Sequence, residues 1–166
     1  MAPTAVVVGA PGAGKTTVGQ AVASRLGVPF ADSDAIIEER AGKPIPEIFF
    51  DDGEDAFRAL ERAAIADALR DFDGVLALGG GAILDEGTRA LLSAARVVYL
   101  SVELSDAVKR VGLGAGRPLL AINPRATMKF LLDQRKPLYA SVATHTVSTD
   151  GREIDDIAAE VVGLLK

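Results

Sequence analysis

The sequence predicts an α/β fold, a five-stranded parallel sheet flanked by helices, from three observations. Short runs rich in β-branched residues alternate along the chain with helical patterns, which is the order of βαβ units. Several of these runs are apolar throughout, as is typical of strands covered by helices on both faces. The chain has 166 residues, the length of one domain, so we expect a single domain over residues 1–166.

Each element is predicted from its local pattern. The β-branched runs predict strands at Thr4–Val8, Pro29–Ala31, Val75–Leu78, Val97–Ser101 and Thr144–Ser148. The stretches between them predict helices at Lys15–Leu26, Asp34–Ala41, Glu54–Leu69, Glu86–Ala95, Ser105–Val111, Pro124–Ala140 and Glu153–Leu165. Asn123-Pro124 marks a helix start, because an N-cap residue precedes a proline at the first helical position. Gly27, Gly53 and Gly74 stand where the preceding helices or connections should end.

The composition excludes several classes of chemistry. The chain has no cysteine, which excludes disulfides, thiolate metal sites and cysteine nucleophiles. His145 is the only histidine and is interpreted as structural. The net charge of -5 offers no general basic surface, so no nucleic-acid partner is predicted. Because no segment resembles a signal peptide or approaches about 18 unbroken apolar residues, we expect a soluble cytoplasmic protein with no membrane partner.

A phosphate-binding loop is predicted at Gly9–Thr16, which fits the pattern GxxxxGK[ST] between a strand and a helix. Backbone N–H groups of Gly12, Ala13 and Gly14 should converge on phosphate oxygens at the positive end of the helix. Lys15 should reach the β- and γ-phosphates, and the Thr16 hydroxyl should bind Mg²⁺. Thr17 is a second phosphate donor or a packing residue. The alternative is a glycine-rich turn with a chance lysine.

This loop predicts binding of a nucleoside triphosphate but leaves open whether the protein is a kinase, a switch or a motor. A GTPase would need an NKxD motif, and Asn123 is the only asparagine and precedes Pro124. The letters of a DxxG motif occur at Asp71–Gly74. They precede a predicted strand instead of following one, so we discount them.

Two polar or glycine-rich segments follow predicted strands and should face the phosphate loop, because open α/β sheets bind ligands at the carboxyl ends of their strands. Asp32-Ser33-Asp34 follows the second strand. One carboxylate can hold the water shell of Mg²⁺ and the other can accept a hydrogen bond from a substrate hydroxyl; alternatively, either is a helix N-cap. Gly79–Gly81 follows the third strand and predicts a close approach to the backbone, or a plain tight turn.

Together these motifs resemble those of the shikimate kinases, in the nucleoside monophosphate kinase-like group of P-loop proteins. The resemblance covers nearly the whole chain. Besides the phosphate loop it rests on Asp32-Ser33-Asp34, Phe57-Arg58, Gly79–Gly81, Arg117-Pro118-Leu119-Leu120 and Arg135-Lys136-Pro137-Leu138-Tyr139. It implies the reaction of ATP with shikimate to give ADP and shikimate 3-phosphate. It also implies a substrate-binding region at about 32–62 and a mobile lid at about 112–123, where glycines are frequent.

The resemblance implies a role for each acceptor-site residue. Arg58 and Arg135 bind the carboxylate of shikimate, for which a planar guanidinium is suited. Asp34 binds ring hydroxyls and either orients the attacking oxygen or accepts its proton. The glycine triplet, Gly79, Gly80 and Gly81, contacts the substrate, with Gly80 donating its backbone N–H. As alternatives, Arg58 forms a solvated helix pair with Glu54 and Glu61, and Arg135 solvates a helix face.

The resemblance also implies a nucleotide side. Lys15, Mg²⁺ and Arg117 surround the transferred phosphoryl group, and Arg117 swings in with the lid while Pro118 closes over the acceptor. Arg110 and Arg152 enclose the adenine. Relatives often carry a proline after the last strand, but Thr149–Glu153 has none.

The predicted metal ligands are Thr16 and Asp32, because no acidic residue ends the strand at Val75–Leu78. We expect a monomer with ATP as co-substrate and Mg²⁺ as cofactor. The rival functions are another small-molecule kinase, such as a gluconate kinase, and a nucleotide-binding module without catalysis.

Overall fold

A computed structural model describes residues 3–10, 13–103 and 124–166. In chain order its elements are β1 (Ala5–Val8), α1 (Lys15–Leu26), β2 (Phe30–Asp32), α2 (Ser33–Ala41), α3 (Ile45–Asp52), α4 (Glu54–Asp71), β3 (Val75–Ala77), a 3₁₀ turn (Ala82–Leu84), α5 (Glu86–Leu92), β4 (Val97–Ser101), α6 (Pro124–Val142), β5 (His145–Ser148) and α7 (Ile154–Leu165).

The five strands form one parallel sheet in the order β2-β3-β1-β4-β5. Strand β1 lies at the centre, with Val6 opposite Leu76 of β3 on one side and Val97 of β4 on the other. The chain therefore crosses β1 between β3 and β4. Such a change of direction opens a crevice at the carboxyl ends of the strands, where the loops after β1, β2 and β3 meet.

The core explains why the central strands read as continuous apolar runs. All residues of β1 and β3 are buried, because helices cover both faces of the sheet. A second, smaller cluster joins α2, α3 and α4 through Ile37, Ile48, Phe57 and Ala64. This cluster fixes the part of the molecule that carries Arg58 beside the end of the sheet.

The structure confirms the predicted fold class and all five strands, with end points that differ by a residue or two. It adds helix α3, which the sequence reading missed because Pro44 and Pro46 resemble loop residues. Proline is tolerated in the first helical turn, where the backbone N–H has no helical partner. Phe49 of α3 stacks on Phe57 of α4 with ring centroids 4.7 Å apart, and this contact holds the helix in place.

Other differences concern the helix ends. Helix α5 ends at Leu92, before the predicted Ala95, and α6 continues past the predicted Ala140 to Val142. The predicted helix at Ser105–Val111 and the predicted lid at about 112–123 lie outside the described residues. Within the residues that the structure describes, no helix has the length and the apolar character that a membrane crossing requires.

Candidate active site

The phosphate loop joins β1 to α1, as its sequence predicts. The Lys15 ammonium donates hydrogen bonds to the carbonyl oxygens of Gly9, at 2.9 Å, and Ala10, at 3.1 Å. These bonds hold the lysine against the loop beside the positive end of α1. Ala13 is buried in the loop, and Pro11 and Gly12 lie outside the described residues, so the role of Gly12 stays a prediction.

Thr16 and Asp32, the two predicted metal ligands, are in contact. The Thr16 hydroxyl donates to Oδ2 of Asp32 at 2.9 Å, and Oδ1 of Asp32 accepts the backbone N–H of Asp34 at 2.8 Å. Asp32 is therefore the N-cap of α2 with one oxygen and faces the phosphate loop with the other. Two oxygen donors beside a phosphate site fit Mg²⁺, which is commonly held by one or two protein groups together with substrate phosphates.

A cavity of about 200 Å³ lies between the ends of β1, β2 and β3. Most of the predicted residues of the first three loops line it. They are Gly14, Lys15, Thr16, Thr17, Asp32, Asp34, Gly79 and Gly80, together with Leu78. The fold thus brings the phosphate loop, both carboxylates and the glycine segment to one site.

The glycine triplet forms a wall against which charged side chains lie. A Cβ atom at Gly79 would stand 2.6 Å from Oδ1 of Asp34, and one at Gly81 would stand 2.6 Å from a guanidinium nitrogen of Arg58. Such distances are well below van der Waals contact, so a Cβ atom at either position would displace the end of the Asp34 or Arg58 side chain from the wall. Close approach, more than turn formation alone, accounts for these glycines.

Arg58 reaches this wall from α4 and is paired there. Its guanidinium lies 2.7 Å from Glu61 and 3.5 Å from Glu54. The pairs resemble the surface alternative, but Glu61 is only 4% exposed, so the contact is inside the protein. Burial raises the pKa of Glu61, and the positive charges of Arg58 and Arg135 oppose that rise.

Arg135, on α6, is buried as well, with 5% of its surface exposed. This burial contradicts the alternative that Arg135 solvates a helix face. Its Nε atom has no hydrogen-bond partner within the described part of the chain. A buried donor of this kind is costly unless a ligand satisfies it, and a cationic donor is best satisfied by an anion.

Three contributors to the site were not assigned a role from the sequence. Glu61 was read only as a pairing partner of Arg58, and its burial depends on α4 packing beneath the glycine wall. The Ser33 hydroxyl accepts the N–H of Gly79 at 3.0 Å, and the Tyr139 hydroxyl donates to the carbonyl of Gly80 at 2.5 Å. The sequence does show a serine between two aspartates and a tyrosine four residues after Arg135. Their hydrogen-bond partners lie 46 and 59 residues away, so the sequence does not indicate which groups they bind.

Arg152, which the structure describes, does not line the cavity. Arg152 donates to the Ser148 carbonyl at 2.9 Å and pairs with Glu160 at 2.7 Å, beyond the end of β5. Its contact with adenine stays a prediction. Arg110, Arg117 and Pro118 lie outside the described residues, and so does their predicted part in the lid.

Comparisons with known proteins agree with this geometry. The family model described as "Shikimate kinase" matches residues 11–166. The chain is 67% identical to the shikimate kinase of Salinispora arenicola, with 99% of each chain covered. It is 60% identical to that of Thermobifida fusca, with 96% of this chain and 92% of the relative covered.

Solved structures give the same result. The shikimate kinase from Acinetobacter baumannii in complex with shikimate superposes with a TM-score of 0.94 at 38% identity, covering 99% of this chain and 93% of that one. A gluconokinase from Sinorhizobium meliloti superposes with a TM-score of 0.60 at 22% identity, which shows a shared fold alone. The family model over nearly the whole chain, together with relatives 60% and 67% identical over nearly their full length, shows that this chain belongs to the shikimate kinase family.

Proposed function

We propose that the site transfers the γ-phosphate of ATP to the 3-hydroxyl of shikimate, giving shikimate 3-phosphate and ADP. The chain is an ATP-dependent kinase by its family, and its place is in the shikimate pathway of aromatic amino-acid biosynthesis. The observation that carries the choice of acceptor is the buried Arg135, whose Nε has no partner among the described residues.

The acceptor end is built for a small hydroxylated acid. Arg135 and Arg58 flank the glycine wall, and the two guanidinium groups offer planar donors to a carboxylate. Glu61 already neutralises part of their charge. An anionic acceptor supplies the remaining negative charge and the missing hydrogen bond at Nε. Its binding therefore replaces the contacts with water that the arginine loses on burial.

Asp34 lies between this end and the phosphate loop. It lines the cavity and contacts the backbone of Gly79, at the point where a ring hydroxyl between the two ends would lie. Its carboxylate can accept the hydrogen bond of the attacking hydroxyl and hold that oxygen towards the phosphate. A positioned base of this kind contributes about 10²–10⁴-fold to a rate.

The phosphate end supplies positioning and charge, which is what phosphoryl transfer chiefly requires. Lys15 exchanges its contacts with the Gly9 and Ala10 carbonyls for oxygens of the β- and γ-phosphates. Thr16 and Asp32 hold Mg²⁺ and its water shell through their oxygens. When bound with the nucleotide, Mg²⁺ neutralises charge on the phosphates. Arg117 and the lid complete the enclosure, and Arg110 and Arg152 contact the adenine.

The wider arrangement is proposed on the same basis. One domain carries the substrate-binding region at about 32–62 and a lid at about 112–123. The protein acts as a cytoplasmic monomer without nucleic-acid or membrane partners.

The substrate is tested by ADP release with shikimate, quinate, gluconate and AMP as acceptors. We expect turnover with shikimate far above the other three. Lys15→Ala should abolish turnover, and Asp34→Asn should lower kcat at least about a hundredfold while ATP still binds. Lys129→Ala changes an exposed lysine paired with Asp133 and serves as the matched control for loss of a positive charge.

Two results would contradict this proposal. Turnover of gluconate or AMP without turnover of shikimate would replace the acceptor. Near-normal kcat in Asp34→Asn would remove that residue from the acceptor site.

A further inference from the structure

Tyr139 contacts the glycine wall at Gly80 and is not among the residues that line the cavity. It is 1% exposed, and its ring stacks on Tyr99 of β4 with centroids 5.1 Å apart. Its hydroxyl donates to the carbonyl oxygen of Gly80 at 2.5 Å. The bond joins α6 to the loop after β3, across 59 residues of sequence.

The hydrogen bonds around Gly80 fix the direction of its N–H group. The Gly79 carbonyl accepts the N–H of Ala82 at 3.1 Å, inside the turn. Because a trans peptide is planar, the N–H of Gly80 points opposite to that carbonyl. Gly80 lines the cavity, and an N–H that points away from the turn is available to a ligand there.

The peptides on either side are also held. The N–H of Gly79 donates to the Ser33 hydroxyl at 3.0 Å, and the Gly80 carbonyl accepts from Tyr139. Without such anchors three successive glycines could rotate freely about φ and ψ. The hydrogen bonds of the turn use the carbonyls of Gly79 and Gly81 but not that of Gly80. Tyr139 thus holds the one carbonyl of the glycine wall that the turn does not hold.

Tyr139 also adjoins Arg135, which precedes it by one turn of α6. Burial raises the pKa of Tyr139 to about 12, and the Arg135 guanidinium, which hydrogen-bonds the phenol, lowers it in part. The phenol therefore keeps its proton at neutral pH and donates it to Gly80, while its oxygen faces the guanidinium. One hydroxyl therefore contacts both the Gly80 peptide and the Arg135 guanidinium.

We propose that Tyr139 is a positioning residue for the acceptor, which holds the Gly80 peptide and the Arg135 guanidinium in a fixed position relative to each other. This inference rests on the proposed function, since the acceptor it positions is shikimate. It assigns the tyrosine no contact with the reacting atoms.

The test compares Tyr139→Phe with Tyr99→Phe. Each variant removes one hydroxyl from the same stacked pair, and only the first removes the bond to Gly80. We expect Tyr139→Phe to raise the KM for shikimate about tenfold, with kcat and the KM for ATP changed less than about threefold. Tyr99→Phe should change each constant less than about twofold. A purely structural role of Tyr139 would move both KM values together.

The inference is overturned if the KM for shikimate rises less than about threefold relative to the KM for ATP in Tyr139→Phe. If that variant does not fold, wild-type enzyme labelled with ¹³C at the tyrosine ζ carbon provides the test. The chain has two tyrosines, so Tyr99→Phe assigns both signals. Saturation with shikimate, but not with ADP, should shift the Tyr139 signal, and an unmoved signal overturns the inference.

These outcomes are separate from those of the proposed function. A wild-type enzyme that does not phosphorylate shikimate defeats the proposed function. Suppose instead that wild-type turnover is normal and that Tyr139→Phe changes the KM for shikimate no more than the KM for ATP. That result defeats only the role of Tyr139.

Discussion

Glu61 shows at the scale of one residue how the acceptor site balances its charge. The carboxylate is buried beneath the glycine wall and pairs with Arg58 at 2.7 Å. Burial raises its pKa, and Asp34 acts in the same direction, whereas Arg58 and Arg135 lower it. The two arginines therefore oppose the effect of burial on this acid, and the acid in turn forms a short ion pair with Arg58.

The raised pKa of Glu61 predicts a pH dependence of stability. Below the unfolded-state value of 4.5 the group is protonated in both states. As pH rises above that value, the unfolded chain releases this proton first, so the free energy of unfolding falls until pH exceeds the folded pKa. We expect the stability of wild type relative to Glu61→Gln to decrease as pH rises above about 4.5, measured by urea unfolding followed by circular dichroism.

Glu160→Gln is the matched control, because Glu160 also pairs with an arginine but is 43% exposed at its side chain. Its stability difference from wild type should stay nearly constant over the same range. A Glu61→Gln difference that is equally flat would show that the folded protein does not raise this pKa.

At the start of helix α2, Asp32 is both the structural cap and the residue proposed as a metal ligand. Oδ1 of Asp32 caps the helix, and Oδ2 accepts from Thr16 at the phosphate loop. The two interpretations of this aspartate, N-cap and metal ligand, are therefore compatible, since they use different oxygens.

This division predicts different effects for two substitutions of Asp32. Asp32→Asn keeps a capping oxygen, so the free energy of unfolding should change by less than about 0.5 kcal/mol, whereas Asp32→Ala should lose about 1 kcal/mol. Both variants lose the negative charge and should need several-fold more Mg²⁺ for half-maximal ADP binding, measured by calorimetry.

Asp85→Ala provides the control for the cap. Asp85 caps α5 by accepting from Thr88 at 2.8 Å, away from the phosphate loop. Its loss should lower stability without altering the Mg²⁺ requirement. An Asp32→Asn enzyme with an unchanged Mg²⁺ requirement would leave the aspartate with its capping role alone.

At the scale of the whole molecule, an acidic protein binds two anionic substrates. The net charge is -5, yet the described residues place Lys15, Arg58 and Arg135 around one end of the sheet. Asp32, Asp34 and Glu61 stand among them, so the described part of the site holds as many acidic as basic side chains. In this part of the site, attraction for the substrates comes from directed donors more than from a general positive field.

We therefore expect shikimate and ADP with Mg²⁺ to stabilise the fold through different side chains of the site. At about a hundred times its dissociation constant a ligand adds about 2.7 kcal/mol, which corresponds to roughly 5–10 °C in Tm for a protein of this size. We expect shikimate and ADP with Mg²⁺ each to raise Tm in wild type. In Arg135→Ala the shift with shikimate should disappear, and the shift with ADP should persist.

Calorimetry suits this measurement because the chain has no tryptophan to report unfolding by fluorescence. Lys136→Ala is the control, since Lys136 is exposed beside Arg135 on the same helix. A full shikimate shift in Arg135→Ala would contradict the proposed carboxylate contact.

The parts of the site that could be predicted are those whose residues lie close together in the sequence. The phosphate loop and the aspartate pair each lie within a few positions of a strand end, so spacing alone places them at one edge of the sheet. Helix α3 could not be predicted in this way, because Pro44 and Pro46 at its start argue against a helix locally and its support comes from Phe57 on another helix.

The sequence by itself determined the strands, the parallel sheet and the phosphate loop, because these depend on local periodicity and short spacings, and its motifs taken together resemble those of one family. Only the tertiary structure decided that Arg135 is buried with an unpartnered Nε, that Glu61 lies between arginines, and that Tyr139 holds the carbonyl of Gly80. Burial and these hydrogen bonds arise where α4 and α6 pack against the loop after β3. Residues distant in sequence meet there, and no local pattern encodes which of their polar atoms lose water.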